Sequence, residues 1–313
     1  QRWLTQSATF VMRRLIHILA AVFLLAAGCL SSVEASENNF TFKKFLNDRQ
    51  WGYEVVDDPT GLAPVDPIER FELRAGDCSV TPLYDDCGTG AERTEMAQMR
   101  RPRAAVAATE WYRWHLYFPK DYPDIYPARA RHGQFLQHAD AHPAWVLEVG
   151  STGAFWLGSA FDHEQRYFPL IDENQLKAQW HEIVLRIDWS SSQGRLDAWV
   201  DGEQKTAYRG PTCSSCRVFF SYGIQRSNLT KYREHYPGRE LPVQVVFFSP
   251  PEMGLTDPGW IPIETVPVEK VEPIIIPPTL IPTSTDRSNG DATATDSADT
   301  STRDPELEGS RNQ

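Results

Sequence analysis

The sequence lacks the features that would suit it to nucleic acid or to repeated passage through a membrane. Acidic residues outnumber basic ones by 42 to 31, for a formal net charge of −11, so the basic surface of a general nucleic-acid binder is missing. Only one apolar run, residues 15–28, is long enough to consider as a membrane segment, which excludes a polytopic membrane protein. No internal repeat is visible.

Aromatic residues, by contrast, are plentiful. They make up 12% of the 313 residues and include ten tryptophans. Such a content suits β-structure or a surface that binds sugars. With 41% hydrophobic and 23% charged residues, most of the chain is expected to fold around a substantial core, as one large domain or two small ones.

The N-terminal region has the pattern of a secretory signal. Met12-Arg13-Arg14 precedes the apolar run of residues 15–28, and we expect residues 1–11 to lie upstream of the true start. Two cleavage sites compete. Residues 25–29 resemble a bacterial lipobox, in which Cys29 would be lipidated, whereas Val33-Glu34-Ala35 suits ordinary signal peptidase. The sequence therefore predicts an exported protein, either a periplasmic or cell-surface lipoprotein or a freely secreted form.

Four cysteines follow Cys29: Cys78, Cys87, Cys213 and Cys216. An even number in an exported chain predicts disulfides, with three possible connectivities, of which the local pairing is the simplest. A zinc site is the competing interpretation of the second pair, but the first pair is too widely spaced in sequence for good zinc ligation.

Composition divides the chain into four parts. Residues 1–35 comprise the upstream residues and the signal, and residues 36–252 form the predicted folded domain. Residues 253–282 are rich in proline and predict an extended stalk, and residues 283–313 form an acidic Ser/Thr-rich tail that we expect to be disordered.

The pattern within the folded domain predicts an all-β protein. Strands are predicted at Trp111–Phe118, Gly133–Asp140, Trp145–Gly150, Phe155–Phe161, Trp180–Trp189, Arg195–Val200, Thr206–Arg209, Val218–Ser227 and Leu241–Ser249. Asp201-Gly202 predicts a hairpin turn, and Ile171–Gln179 a short helix. Many strands at short intervals favour a β-jelly roll, a concanavalin-like sandwich of two sheets.

Strand alternation sorts side chains into shared faces. One face of a predicted strand carries Trp111, Arg113, His115 and Tyr117; other faces carry Arg93 with Glu95, Gln134 with Leu136 and His138, and Phe219 with Ser221, Gly223 and Gln225. Aromatic rings stack on sugars, and Arg or Gln can bind a carboxylate, so these faces suit an acidic sugar. Taken alone, a histidine such as His115 is equally a half-buried sheet residue.

The order of several motifs resembles a known family. The motifs are Phe71–Cys78, Glu92–Glu95, Trp111–Pro119, Gly133–Gln137, Trp180–Trp189, Trp199–Gly202 and Phe220–Ser227. Together they resemble the heparin lyase I and glucuronan lyase group of polysaccharide lyases, which share a β-jelly roll with alginate lyases. The resemblance covers residues 70–252 and implies cleavage of a uronate-containing polysaccharide by β-elimination.

The resemblance also implies site residues. Arg93 and Gln134 match the family positions that neutralise the substrate carboxylate. The family histidine falls at Leu136, the family lysine at Ser221 and the catalytic tyrosine at Gln225, whose amide does not titrate.

Other residues would have to replace the missing groups. His138 or His115 is the candidate base, and Tyr117 the candidate acid, because alternation points Tyr222 into the core. The predicted substrate-binding residues are Trp111, Arg113, Gln137, Ser221 and Gln225.

Two functions follow from these residues. The first is an exported polysaccharide lyase, and the alternative is a catalytically inactive carbohydrate-binding protein on the same fold; a purely structural envelope protein is a weaker third. The expected partner is an acidic polysaccharide, with no nucleic acid, a membrane tether through Cys29 and a monomeric chain. The sequence establishes no cofactor, although Asp85 and Asp86 could help to hold Ca²⁺. Arg129 and Arg131 could attract a polyanion.

Overall fold

The computed structural model describes residues 41–45, 49–82, 84–98, 109–137, 142–159, 164–261 and 273–275. Cys29, His138, the tail and most of the predicted stalk lie outside this part of the chain. The described strands are β1 Phe42–Phe45, β2 Tyr53–Val56, β3 Ile68–Leu73, β4 Glu92–Gln98, β5 Thr109–Tyr117, β6 Arg129–Gln137, β7 Trp145–Val149, β8 Phe155–Ser159, β9 Arg166–Ile171, β10 Trp180–Asp188, β11 Gly194–Val200, β12 Glu203–Gly210, β13 Val218–Ser227, β14 Gln244–Phe248, β15 Glu252–Gly254 and β16 Ile274–Ile275.

Helices are short in this part of the chain. They are α1 Asp86–Thr89, α2 Glu173–Leu176, α3 Leu229–His235 and a single 3-10 turn, Gln50–Gly52. The helix predicted at Ile171–Gln179 is only the one turn of α2, because β9 ends at Ile171 and β10 begins directly after Gln179. Among the described residues, no helix is both long and apolar enough to span a bilayer.

The strands form two antiparallel sheets that pack face to face. The first sheet has the order β1-β4-β13-β6-β7-β8-β9-β16, and the second has the order β12-β11-β10-β5-β14-β3-β2, with β15 paired to β5. The prediction of an all-β, two-sheet sandwich of the jelly-roll type is confirmed.

Aromatic side chains fill the space between the sheets. Tyr112 and Trp114 of β5, in the second sheet, pack against Phe135 and Phe220 of the first, with ring centroids 5.0 to 5.4 Å apart. All four are at most 1% exposed. Burial of one such ring stabilises the fold by about 1.5–3 kcal/mol. Because side chains alternate along a strand, the faces that carry these rings are the ones that point into the core.

Tyr222 also lies in the core, as alternation predicted. Its hydroxyl donates to Glu69 Oε2 over 2.8 Å, and the Tyr53 hydroxyl donates to Glu69 Oε1 over the same distance. Burial raises the pKa of Glu69, although the two hydroxyl groups oppose the shift. Tyr222 is therefore occupied inside the sandwich and is not available on an outer face.

The predicted turn and disulfides are confirmed. Asp201 and Gly202 join β11 to β12 with φ values of 52° and 80°, and two successive positive φ angles are the signature of a tight hairpin turn. Cys78 bonds to Cys87, and Cys213 bonds to Cys216. The sulfur atoms are therefore committed to disulfides and not to zinc.

The folded unit extends beyond residue 252, the boundary that composition indicated. Strand β15 pairs with β5, and β16 pairs with β9. Between them, Trp260 and Ile261 pack on a small cluster formed by Trp111, Val184 and Trp199. Parts of the predicted stalk thus add to both sheets, and Trp260 and Ile261 cover part of the second.

Candidate functional site

The outer surface of the first sheet is unusually polar, and we call it the polar face. Its members are Arg93, Glu95, Arg129, Arg131, Gln134, Glu148, Trp156, Tyr167, Ser221 and Gln225. Neighbouring residues on the same strands, such as Phe135 and Tyr222, point into the core instead. The face therefore brings together four residues at positions that the family resemblance singled out: Arg93, Gln134, Ser221 and Gln225.

A bulge in β6 determines part of this face. The pairing of β6 with both neighbouring strands shifts at His132 and Gly133. A methyl group on Gly133 would meet Leu147 and Phe220, so this position faces the core, and the His132 ring is buried against Phe118. Because two successive residues face inward, Arg131 and Gln134 both lie on the polar face.

Arg93 is held by protein carboxylates. Its Nε and Nη2 donate to the two carboxylate oxygens of Asp86 over 2.8 and 2.6 Å, and its Nη1 donates to Glu95 over 3.3 Å. Phe45 and Tyr84 flank the guanidinium, with ring centroids 5.6 and 5.9 Å away. Most of the donor capacity of Arg93 is therefore already used within the protein.

Glu95 lies beside Gln134 and Ser221. Gln134 donates its amide to Glu95 Oε1 over 2.7 Å. Ser221 is close enough to oppose the rise in the Glu95 pKa, but its hydroxyl meets no partner with full hydrogen-bond geometry among the described residues. Burial raises the pKa of Glu95, with Arg93 opposing the shift. Proton uptake by this carboxylate would lessen the negative charge around Arg93.

A second charged cluster lies on strands β6, β7 and β9. Arg129 Nη2 donates to the Tyr167 hydroxyl over 2.6 Å and lies 3.1 Å from Glu148 Oε1. Arg131 Nε lies 3.6 Å from Glu148 Oε2, and Arg131 Nη1 donates to Gln225 Oε1 over 3.5 Å. Burial and the nearby Glu148 raise the pKa of Tyr167, so its phenol keeps its proton.

Two neighbours complete this cluster. Gly158 lies under the Tyr167 ring: a methyl group at this glycine would be only 2.7 Å from the ring. This lack of a side chain lets the phenol lie across β8 and reach Arg129. Trp156 pairs directly with Glu148 across β7 and β8 and is partly exposed. An indole in this position offers a flat apolar surface to a sugar ring.

The structure does not bring Trp111, Arg113, His115 and Tyr117 to the polar face. They lie on β5 of the second sheet and point away from the core, which places them on the opposite outer surface of the sandwich. Because the full thickness of the sandwich separates the two surfaces, one sugar residue cannot contact both sets. Alternation grouped these four correctly but could not say which sheet carried them.

Their contacts also differ from those of an open groove. Trp111 stacks on Trp199 and is 6% exposed. Arg113 pairs with Glu182 over 2.8 Å. His115 Nδ1 lies 3.3 Å from Ser249 Oγ. The Tyr117 ring packs on Trp180 and Phe247.

Gln137 has a structural contact in place of the predicted substrate contact. It shares the inward side of β6 with Phe135 and is 5% exposed. Its Oε1 accepts from the backbone N–H groups of Ser214 and Ser215 over 2.8 and 3.0 Å, and its Nε2 donates to His142 O. It therefore anchors the loop of the second disulfide.

The Asp85-Asp86 pair is also engaged. Asp85 caps α1 by accepting from the Gly88 N–H, and Asp86 binds Arg93. Within the described residues there is no group of three or more His, Cys, Asp or Glu side chains that could hold a metal ion.

Sequence reasoning missed three members of the polar face, Glu148, Trp156 and Tyr167, and it named Arg129 and Arg131 only as residues that could attract a polyanion. Strict alternation from Gln134 would put Arg131 on the inward side, and only the β6 bulge reverses this. Glu148 and Tyr167 lie on strands whose polar residues alternate with core residues, which is a signal that could have found them.

Comparison with known proteins gives one family and several remote structures. Comparison with curated proteins finds no matching relative. Among solved structures, the catalytic domain of a glycoside hydrolase family 131 protein from Coprinopsis cinerea is 12% identical, with 68% of this chain and 81% of that chain covered and a TM-score of 0.45. Identity this low transfers no activity.

Two alginate lyases are similarly remote. The enzyme from Klebsiella pneumoniae is 10% identical, with 62% of this chain and 83% of that chain covered and a TM-score of 0.42. The enzyme from Chlorella virus is 11% identical, with 69% and 93% covered and a TM-score of 0.45. A family model described as polysaccharide lyase matches residues 34–237, well over half of the chain. The chain therefore belongs to the polysaccharide lyase family.

Proposed function

We propose that this protein is an exported polysaccharide lyase that cleaves a uronic-acid-containing polysaccharide by β-elimination on the polar face. The observation that carries the proposal is the row formed by Arg93, Gln225 and Arg131, in which Gln225 pairs across the strands with both arginines. Gln134 and Tyr167 lie on the same face. Cationic, amide and phenol groups are the types that bind and convert a uronate.

The reaction needs three actions. A cation or amide must neutralise the C5 carboxylate, so that the C5 proton becomes acidic enough to remove. A base takes that proton, and the electron pair left behind forms the C4=C5 double bond. The bond between C4 and the glycosidic oxygen then breaks, and an acid supplies a proton to that oxygen.

The candidate groups for the last two actions are Tyr167, which lies on the polar face, and His138. Tyr167 accepts a hydrogen bond from Arg129, and its own proton has no acceptor among the described residues, so it suits the role of acid. His138 lies outside the described residues but directly follows β6, which carries Gln134, and it remains our candidate base. His115 and Tyr117 lie on the opposite outer surface, which argues against these roles for them.

The narrower substrate and the location are also part of the proposal. The motif order favours the heparin lyase I and glucuronan lyase group, and hence a glucuronate-type polymer. Two disulfides within the folded unit suit an oxidising compartment, in agreement with a signal at residues 12–28. Cys29 would tether a lipidated form, and Val33-Glu34-Ala35 would release a secreted one.

One set of contacts favours the alternative, an inactive carbohydrate-binding protein. Ser221 and Gln225 stand where the family has lysine and tyrosine, and Arg93 is bound to Asp86 and Glu95. A site without the family acid and with its arginine engaged could retain a glycan without cutting it.

The two functions differ in the appearance of an unsaturated uronate, whose double bond absorbs in the ultraviolet. The full chain would be incubated with glucuronan, heparin, heparan sulfate, alginate and hyaluronan, with and without Ca²⁺. A rise in absorbance on one polymer supports the lyase and identifies its substrate. Retention of a polymer without any rise contradicts the lyase and supports the binding protein.

A further inference from the structure

We propose that Arg131, and not Arg93, is the residue that binds the substrate carboxylate, in a subsite that it forms with Arg129, Trp156 and Tyr167. The proposal takes its ligand, a uronate, from the proposed function. The substrate carboxylate would then bind beside β6 and its neighbours up to β9, and not beside β4.

The two arginines differ in the donors that they have left. Both pair across the strands with Gln225, one on each side. Arg93 makes two short bonds to Asp86 and a third to Glu95. Arg131 makes one long bond, of 3.5 Å, to the neutral amide of Gln225, and its Nε is buried without a hydrogen-bond partner among the described residues. Arg131 therefore keeps unused N–H capacity on a partly exposed side chain, and a carboxylate could accept from it.

The charges around the two arginines also differ. Arg93 faces two carboxylates, those of Asp86 and Glu95. Arg129 and Arg131 share one ion-pair partner, Glu148, and Glu95 has a weaker electrostatic effect on Arg131. An added anion would neutralise the surplus positive charge of the second cluster, whereas beside Arg93 it would meet carboxylates that already match or exceed the positive charge.

Burial makes the incomplete pairing in the second cluster costly. The Arg131 side chain is 20% exposed and that of Glu148 is 5% exposed. Arg131 Nε and Glu148 Oε2 are each buried without a hydrogen-bond partner among the described residues and lie 3.6 Å apart. Unpaired buried polar atoms disfavour the empty state of a site. A uronate has groups of both kinds needed here, because its carboxylate can accept from Arg131 and its hydroxyl groups can donate to Glu148.

Groups suited to the rest of a sugar lie beside this cluster. Trp156, directly across from Glu148, offers a ring face for stacking. The Tyr167 hydroxyl, 2.6 Å from Arg129 Nη2, can donate its proton to a sugar oxygen. A uronate bound to Arg131 would thus find a stacking surface and a proton donor next to its carboxylate.

Equilibrium binding tests the subsite separately from turnover. Calorimetry on the full chain would use oligosaccharides of glucuronate, mannuronate and guluronate, with neutral cello-oligosaccharides of the same length as a ligand control. Loss of a charge-assisted hydrogen bond predicts that Arg131→Gln weakens binding of one uronate series by about 10- to 100-fold. Arg93→Gln and the second-sheet control Arg186→Gln should stay within about twofold of the wild type, and Arg131→Lys should fall between.

Each outcome decides one of the two proposals. A weakening in Arg93→Gln with little change in Arg131→Gln overturns the subsite, and so does equal binding of neutral and acidic oligosaccharides by the wild type. Thermal unfolding of each variant identifies any loss of binding that comes from misfolding. If Arg131→Gln misfolds, Arg131→Lys is compared with the wild type in its place. Uronate binding that depends on Arg131, without any rise in ultraviolet absorbance, upholds the subsite and overturns the lyase.

Discussion

Arg93 and Asp86 form a bidentate ion pair, with nitrogen–oxygen distances of 2.8 and 2.6 Å, at the edge of the polar face. Both residues are buried, and Asp86 begins the short helix α1 that the Cys78–Cys87 disulfide ties to the preceding loop. The arginine that the family resemblance assigns to the substrate is therefore also a structural group. Its loss would affect folding, whereas the carboxylate subsite proposed at Arg131 would remain.

Removal of Asp86 should destabilise the protein strongly. Asp86→Ala leaves Arg93 buried with only part of its charge compensated, which predicts a loss of about 3–5 kcal/mol in the free energy of unfolding. Urea denaturation monitored by tryptophan fluorescence measures it. Asp57→Ala, at an exposed position, is the control and should change stability by no more than about 0.5 kcal/mol. A loss below about 1 kcal/mol in Asp86→Ala would show that the pair contributes little.

Removal of the Tyr167 hydroxyl should slow turnover far more than it weakens binding. If the phenol protonates the leaving oxygen, Tyr167→Phe predicts a fall of about 100-fold or more in kcat with a much smaller change in KM. Initial rates of ultraviolet absorbance measure both constants. Tyr126→Phe, which removes a hydroxyl from an exposed ring, should keep wild-type rates. An unchanged kcat in Tyr167→Phe would assign the proton to another group.

His132 should make the protein sensitive to acid. Burial lowers its pKa to about 3, and its ring contacts the Tyr122 hydroxyl and Gly223 O over 3.0 and 3.2 Å. The unfolded chain binds this proton near pH 6.5, so protons favour unfolding. The free energy of unfolding is therefore highest, as far as His132 is concerned, above about pH 6.5. It falls by about 1.4 kcal/mol per pH unit as the pH decreases from 6.5 towards 3.

The measurement compares the wild type with His132→Gln in urea at pH 7 and pH 5. The variant should lose about 2 kcal/mol less than the wild type between the two pH values, because it lacks the titrating ring. The same loss in both proteins would mean that other groups cause the acid sensitivity.

Two tryptophans should separate stability from glycan binding. Trp111, stacked on Trp199 in the second sheet, is nearly buried, so Trp111→Ala predicts a loss of about 3–5 kcal/mol in the free energy of unfolding and no change in affinity for polysaccharide. Trp156→Ala on the polar face should show the reverse, weaker binding with a smaller loss of stability. Affinity electrophoresis and denaturation measure the two effects. Weaker binding in a folded Trp111→Ala protein would point to the second sheet.

Local patterns predicted much of the fold. Asp201-Gly202 determined a hairpin, the even count of cysteines suited two local disulfides, and the alternation around Tyr222 gave its direction correctly. These succeeded because turn chemistry and the two-residue period act over a few neighbouring residues. The predicted strands did not include β1 to β4 or β9, and the helix α3 was missed as well. Strands β1, β3 and β4 pair with parts of the chain that are distant in sequence.

The site was less predictable, for two physical reasons. Alternation gives the face of a strand but not its sheet, so His115 and Gln134 could be combined although opposite surfaces carry them. A bulge adds one residue and reverses the face assignments on its far side, so alternation counted back from Gln134 places Arg131 on the wrong face. Pair partners such as Asp86 for Arg93 depend on tertiary contacts that sequence spacing does not reveal.

The most direct test of a polysaccharide site on the polar face compares one residue from each outer surface. Ultraviolet absorbance would follow double-bond formation on the best polymer for the wild type, Gln134→Ala and His115→Ala, each first shown to be folded. The account predicts a rise with the wild type and His115→Ala and little or none with Gln134→Ala. A rise that persists in Gln134→Ala but disappears in His115→Ala would contradict it and move the site to the second sheet.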